Sequence, residues 1–217
     1  MKPVHTAEEK NMMAEQPLTE SDVSQVILLV LSTVSMTVNG LKKANVLSIM
    51  SDLLKIAGTV NDSIVDGPGI RFTVFTQGCP HHCEGCQNPQ THDFNSGELV
   101  DISEIFNKIK SNPLLDGVTF SGGEPFCQAG ILAELGQKIK EIDLNILTYT
   151  GYTFEELYEN REKKHWDELL AVTDFLVDGK FIIAEKDWNV KFRGSRNQRY
   201  IDCQASLKKG RAVEVEP

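Results

Sequence analysis

The chain has 217 residues, 41% hydrophobic and 24% charged, which suits one ordinary globular domain with an appendage. Its formal net charge of −9 gives no overall basic field, so nucleic acid is not an expected partner. Five cysteines, three of them crowded into eight residues, argue against the disulfide framework of a small secreted protein and for metal ligands in a reducing cytoplasm.

Residues 1–20 are polar and aperiodic, which predicts disorder. Val23 to Val38 is apolar around Ile27–Leu31, but it is short for a membrane span and carries Ser24, Gln25, Ser32, Thr33 and Ser35. Glu8, Glu9, Glu15, Glu20 and Asp22 precede it where a signal peptide is basic, so it reads as a packing or interfacial helix and no membrane partner is expected. Met50 to Lys55 looks like a natural start. The expected organisation is therefore an atypical N-terminal extension over 1–49, poorly ordered or partly helical, a domain over 50–205 and a tail over 206–217.

Arg71 to Gln77 is β-branched and aromatic and predicts a strand. Asp101 to Lys110 puts Ile102, Ile105, Phe106 and Ile109 on one helical face. Gly117 to Phe120 predicts a second strand, Ala129 to Ile142 a second amphipathic helix, and Asn145 to Tyr149 a third strand. Thr153 with Glu156 forms the capping box of a further helix. Thr173 to Val177 reads as a fourth strand, with another around Arg199 to Ile201. Strands separated by helices imply βαβ units and a mostly parallel α/β sheet.

Glycine-bearing segments follow each of the first four strands: Gly78-Cys79, Ser121-Gly122-Gly123-Glu124, Thr150-Gly151-Tyr152 and Asp178-Gly179-Lys180. Parallel α/β folds bind ligands at the carboxyl ends of their strands, so these turns predict one site. Within it, Cys79, Cys83 and Cys86 have CxxxCxxC spacing. Three thiolates can hold three irons of a cubane and leave the fourth iron open to another ligand. Two other readings of the same cysteines stay open. One is zinc, with His81, His82, Cys127 or Cys203 as fourth ligand; the other is a small electron-transfer module with a fourth cysteine on the cluster.

CxxxCxxC after one strand and GGE after the next resemble the radical S-adenosylmethionine (SAM) superfamily. The superfamily places an aromatic residue before the third cysteine, where this chain has Gly85. That departure, with Asp66 to Arg71 (DGPGIR), Thr150 to Tyr152, Val177 to Phe181 and Arg193 to Gln198 (RGSRNQ), is similar to the activating proteins of anaerobic ribonucleotide reductases. The resemblance covers about Leu54 to Asp202.

The resemblance implies an incomplete radical SAM β/α barrel, open on one side because a full barrel needs about 250 residues. It also implies a [4Fe-4S] cluster on Cys79, Cys83 and Cys86 with SAM on the fourth iron. Gly122 and Gly123 would meet the SAM amino group, Glu124 would complement its charge, and the adenosyl group would lie against Gly85, Cys86 and Gln87. No catalytic residue beyond the cluster ligands is expected, because a hydrogen atom moves rather than a proton. The implied protein substrate is an anaerobic ribonucleoside-triphosphate reductase, activated by a glycyl radical, and the implied electron donor is a reduced flavodoxin or similar protein. An activase of the formate-lyase type is the close alternative. Lys191, Arg193, Arg196 and Arg199 form a basic segment in an acidic chain, read either as a docking surface for the reductase or as a solvated loop.

Overall fold

Strands and helices alternate through residues 52–163 and 165–217, which the computed structural model describes. The expected disorder, the apolar helix and the extension of residues 1–49 lie outside the described residues. In chain order the elements are β1 (Leu53–Ser63), β2 (Arg71–Thr76), β3 (Glu98–Asp101), α1 (Ile102–Lys110), β4 (Gly117–Gly122), α2 (Ala129–Lys140), β5 (Asn145–Tyr149), α3 (Phe154–Asn160), α4 (Trp166–Val172), β6 (Phe175–Asp178), β7 (Arg199–Asp202) and α5 (Cys203–Lys209). They form one sheet of order β3-β1-β2-β4-β5-β6-β7. The central strands β2, β4, β5 and β6 are parallel, whereas β1 runs against β2 and β3, and β7 against β6. The sheet is α/β and mostly parallel, with β3 and β7 as its two edges.

Side chains alternate across the sheet with the period of two that strands impose. Phe72, Val74, Val118, Phe120, Ile146, Leu176 and Ile201 join one apolar core with helix residues such as Ile105, Leu132, Leu157 and Leu169. Intervening residues Leu147, Val177 and Tyr200 form a smaller cluster with Tyr149, Phe175 and Val215. Polar residues share that second face. Arg71 is 1% exposed, and its guanidinium donates to Thr119 Oγ1 (2.6 Å), Val118 O (2.6 Å) and Asn145 Oδ1 (2.8 Å). Burial pulls its pKa below the usual arginine value. The loop between β1 and β2 lies on this face: the Thr119 hydroxyl donates to Asp66 O (2.8 Å), and the Thr73 hydroxyl to Asp66 Oδ2 (3.1 Å).

Local signals account for the helix ends. The Asp101 carboxylate accepts from the Ser103 N–H (2.7 Å) to start α1, with Lys108 and Lys110 in the last turn where the dipole favours cations. The capping box of Thr153 and Glu156 starts α3 as the sequence indicates. Asp202 caps α5, and Gly210 ends it in the left-handed conformation at φ +62°.

Two boundaries differ from expectation. The fourth parallel strand begins at Phe175, because Thr173 closes α4: its hydroxyl and N–H both donate to Leu169 O. The expected tail boundary at 205/206 falls inside α5. Beyond it, Val213 O accepts from the Asp202 N–H (3.0 Å) and the Val215 N–H donates to Tyr200 O (2.9 Å), so residues 206–217 continue the domain. No helix among the described residues is long and apolar enough to cross a membrane.

Asp178 ties three elements together at the end of β6. It is 1% exposed, accepts from the Phe154 N–H (2.7 Å) at the start of α3, and pairs with Arg199 of β7. Replacing it with alanine strands that N–H and leaves the guanidinium to Glu155. Asp178→Ala is expected to lower unfolding free energy by about 3 kcal/mol in urea titration, with the slope m unchanged.

Candidate functional site

The turns that follow β2, β4, β5 and β6 meet at one edge of the sheet, as parallel topology requires. Backbone hydrogen bonds link them in two pairs. Gly123 N–H donates to Thr76 O and Glu124 N–H to Gly78 O (both 2.8 Å); Thr150 N–H donates to Val177 O and Gly179 N–H to Tyr152 O (both 2.9 Å). Together they wall a cavity of about 520 Å³.

The cysteine loop forms one wall. Gly78 opens it at φ +96°, and a Cβ there would sit 2.4 Å from the Phe94 ring, so glycine is required. Gly78 and Cys79 donate their N–H groups to Thr91 O (2.8 Å) and His92 O (3.1 Å), which anchors the first thiol. Cys79, Cys83 and Cys86 all line the cavity, and all are free thiols. Cys79 is buried, and that desolvation pushes its thiol pKa up. Metal ligation needs the thiolate, so loading this site releases protons. A cubane asks each thiolate to hold a separate iron, and three cysteines on one loop facing one cavity fit that demand. No group of three His, Cys, Asp or Glu side chains among the described residues converges on a single-ion site.

The residues expected to hold SAM divide into two groups. Gln87, Cys86, Gly122 and Gly123 line the cavity. A Cβ on Gly123 would come 2.4 Å from Gly78 O, so a missing side chain lets the second turn close on the cysteine loop. Gly85 plays a different part. It turns the loop at φ +71° and abuts Ile183, whose Cδ1 would lie 2.8 Å from an added Cβ.

Glu124 is also placed otherwise than expected. It is fully buried behind the turn, and four donors occupy its two oxygens. Oε1 accepts from the Phe126 N–H (3.0 Å) and the Thr150 hydroxyl (2.9 Å); Oε2 accepts from the Gly151 N–H (2.9 Å) and meets His81 Nε2 (2.7 Å). An ionised carboxylate only accepts, and the His81 tautomer with its hydrogen on Nε2 matches that bond. His81, weighed from sequence only as a zinc ligand, is thus bound to Glu124 and packs edge-on against Tyr152 (4.5 Å between centroids). Tyr152 in turn lies 4.8 Å from Trp166, whose Nε1–H donates to Phe126 O (2.8 Å). Nothing in the cysteine spacing distinguishes His81 from His82.

The segment after β6 closes the far side. Gln198 donates to Gly179 O (3.0 Å) and accepts from the Gly194 N–H (2.8 Å), folding RGSRNQ back onto the fourth turn. An added Cβ on Gly194 would lie 2.9 Å from the Phe181 ring and 3.1 Å from Gln87 Nε2. The four basic residues singled out here separate. Arg199 pairs with Asp178 and Glu155, and Arg196 approaches Asp187 at 3.7 Å. Lys191 and Arg193 line the cavity. Tyr149, unassigned by sequence, also lines it and donates to Phe192 O (2.8 Å).

A family model described as a 4Fe-4S single cluster domain matches residues 65–201. The anaerobic ribonucleoside-triphosphate reductase-activating protein of Vibrio cholerae is 39% identical over 145 residues, covering 62% of this chain and 89% of that protein. Proteins of the same name from Haemophilus influenzae and Escherichia coli K12 are 35% and 36% identical over 143 residues, each covering 62% of this chain and 89% and 90% of their own lengths. Among solved structures, QueE from Escherichia coli superposes with a TM-score of 0.42 at 14% identity, over 53% of this chain and 58% of that one.

Of the two cysteines outside the loop, Cys127 is exposed and Cys203 is buried. Cys203 is 0% exposed, donates to Leu170 O (3.5 Å), and has its thiol pKa pushed up to about 12 by burial. In metal-free native protein at pH 8, iodoacetamide is expected to modify Cys83 and Cys86 at least tenfold faster than Cys203, read by peptide mass spectrometry.

Proposed function

The chain belongs to the 4Fe-4S single cluster domain family and, within it, to the activating proteins of anaerobic ribonucleoside-triphosphate reductase; from that membership we propose that it generates a glycyl radical on such a reductase. The observation that carries the reading is the cysteine count at the cavity. Cys79, Cys83 and Cys86 face it together, while Cys127 and Cys203 lie outside its lining. Three thiolates leave one iron of a [4Fe-4S] cluster for SAM. When bound, the cluster and SAM would supply reductive SAM cleavage and hydrogen-atom abstraction from a glycine Cα of the reductase.

The chain's own residues bind, orient and exclude water. Gly122 and Gly123 offer bare backbone for close approach by the SAM amino group. Cys86 and Gln87 present the wall for its adenosyl end, with Gly85 setting the bend between them and Cys83. No side chain is assigned as acid or base, because a hydrogen atom moves. A reduced flavodoxin or similar donor supplies the electron.

The sheet supports an incomplete barrel whose wall is open between β3 and β7. Exposed apolar side chains stand at the cavity's rim: Ile64 and Val65 at 72% and Trp188 at 83%. Such side chains suit contact with a polypeptide. Lys186 lies over the Trp188 ring at 4.3 Å, and Lys191 and Arg193 add positive charge. This part of the basic segment is the surface proposed for the reductase.

The protein, reconstituted anaerobically with iron and sulfide and supplied with dithionite and SAM, is expected to release 5′-deoxyadenosine. With the reductase present it is expected to produce a glycyl radical seen by electron paramagnetic resonance. Cys83→Ala is expected to abolish cluster loading and cleavage; retained cleavage refutes the assignment. Trp188→Ala is expected to leave SAM cleavage without reductase within about twofold and to lower radical yield on the reductase about tenfold, the cost of losing one aromatic anchor.

A further inference from the structure

Glu124 belongs to a motif assigned to SAM, yet no part of its carboxylate is free to meet a ligand. The side chain is fully buried, and its oxygens take the Phe126 and Gly151 N–H groups, the Thr150 hydroxyl and His81 Nε2. These donors come from its own turn, from the turn after β5, and from the cysteine loop. We infer that Glu124 is a positioning residue that latches the cysteine loop through His81, and that only the backbone of its turn faces the ligand.

The contact is specific in geometry. His81 has a side chain 6% exposed and sits between the first two cysteines. Its ring is held on a second side by Tyr152 at 4.5 Å and on a third by Gly151, where an added Cβ would fall 2.4 Å from Cδ2. The ring therefore has one seat, and the 2.7 Å bond to Oε2 defines it. Holding His81 fixes the backbone that carries Cys79 and Cys83, because two residues on either side leave the chain little slack. The same carboxylate fixes Thr150 and Gly151, so one group sets the distance between the thiols and the opposite wall.

The inference rests on the reading that these cysteines hold the cluster, but it can be tested without activity. Native-state hydrogen exchange on the metal-free protein, read by mass spectrometry, reports each turn separately. His81→Phe keeps a ring and removes the donor. It is expected to raise exchange at least tenfold in peptides covering 79–86, with those of α2 unchanged. Glu124→Ala is expected to raise exchange in that segment and also at 150–151. His81→Gln, which returns an N–H near the same reach, is expected to restore protection at 79–86.

On the reconstituted protein, kcat/KM for SAM cleavage is expected to fall at least tenfold in each of His81→Phe and Glu124→Ala. The double variant is expected to do no worse than the poorer single, as coupled partners do. His81→Gln is expected within about threefold of the parent. Unchanged exchange at 79–86 in His81→Phe, additive losses in the double variant, or His81→Gln as poor as His81→Phe overturns the latch. A parent protein that loads no cluster overturns the proposed function instead, and the exchange result still decides the latch.

Discussion

A single buried carboxylate holds this site in shape. Taking the Glu124 charge out of water is strongly unfavourable unless its oxygens are satisfied. Two backbone N–H groups, one hydroxyl and one imidazole satisfy them here, and hydrogen bonds to a charged acceptor are stronger than neutral ones. The donors are not interchangeable with water, because they are fixed on three different turns, the Thr150 hydroxyl and the Gly151 N–H sharing one. Gly151 lies 27 residues from Glu124 and His81 lies 43 away, so the carboxylate closes two long loops of chain at once. Any movement of one turn leaves a buried donor or the carboxylate unpaired, and the turns are thereby coupled.

The cysteine loop is gripped from two sides. His81 draws its first half towards Glu124, while Gly85 sets its second half against Ile183 and Phe181. The segment that supplies those two side chains is itself bound back by Gln198 across Gly179 and Gly194. The loop has few backbone bonds of its own, Cys86 N–H to Cys83 O (3.2 Å) among them. Its conformation therefore comes from long-range neighbours, which in turn sit on strands of one rigid sheet. Loops positioned by a rigid scaffold are the usual carriers of chemistry.

How legible this was depends on whether the signal was local. Central strands β2, β4 and β5 are short apolar or β-branched runs flanked by glycine or acidic residues, and their ends fall within two residues of expectation. Strand β1 escaped notice because its eleven residues include Gly58, Asn61 and Asp62, and two register shifts break its alternation. Helices α4 and α5 are seven residues each, too short for a clear stripe, and α4 has no side-chain cap. The cysteines and the glycine turns were legible because each is a contiguous motif. Glu124 was recognisable as part of one, but the direction of its side chain was not. A motif records which residue is present, whereas burial and the distant His81 decide which way its oxygens point.

Overall charge does not describe the mouth of the cavity. The chain carries −9, yet residues 180–199 carry six Lys or Arg and only two acidic residues. Screening confines a surface charge to about 8–10 Å at ordinary ionic strength, so the mouth of the cavity is governed by its nearest side chains rather than by the sum. Even within that segment the charges are not equivalent. Arg199 is consumed in holding β6 and β7 to α3, which raises its pKa above the ordinary arginine value, and Arg196 leans on Asp187. Lys191, Arg193 and Trp188 all line the cavity. A substrate presenting glycine offers no side chain at the reacting atom, so selection must come from contacts with its flanks. Charged and aromatic groups on the rim can make those contacts without touching the chemistry, which is left to the bare backbone of Gly122 and Gly123 and to the cysteine loop beneath.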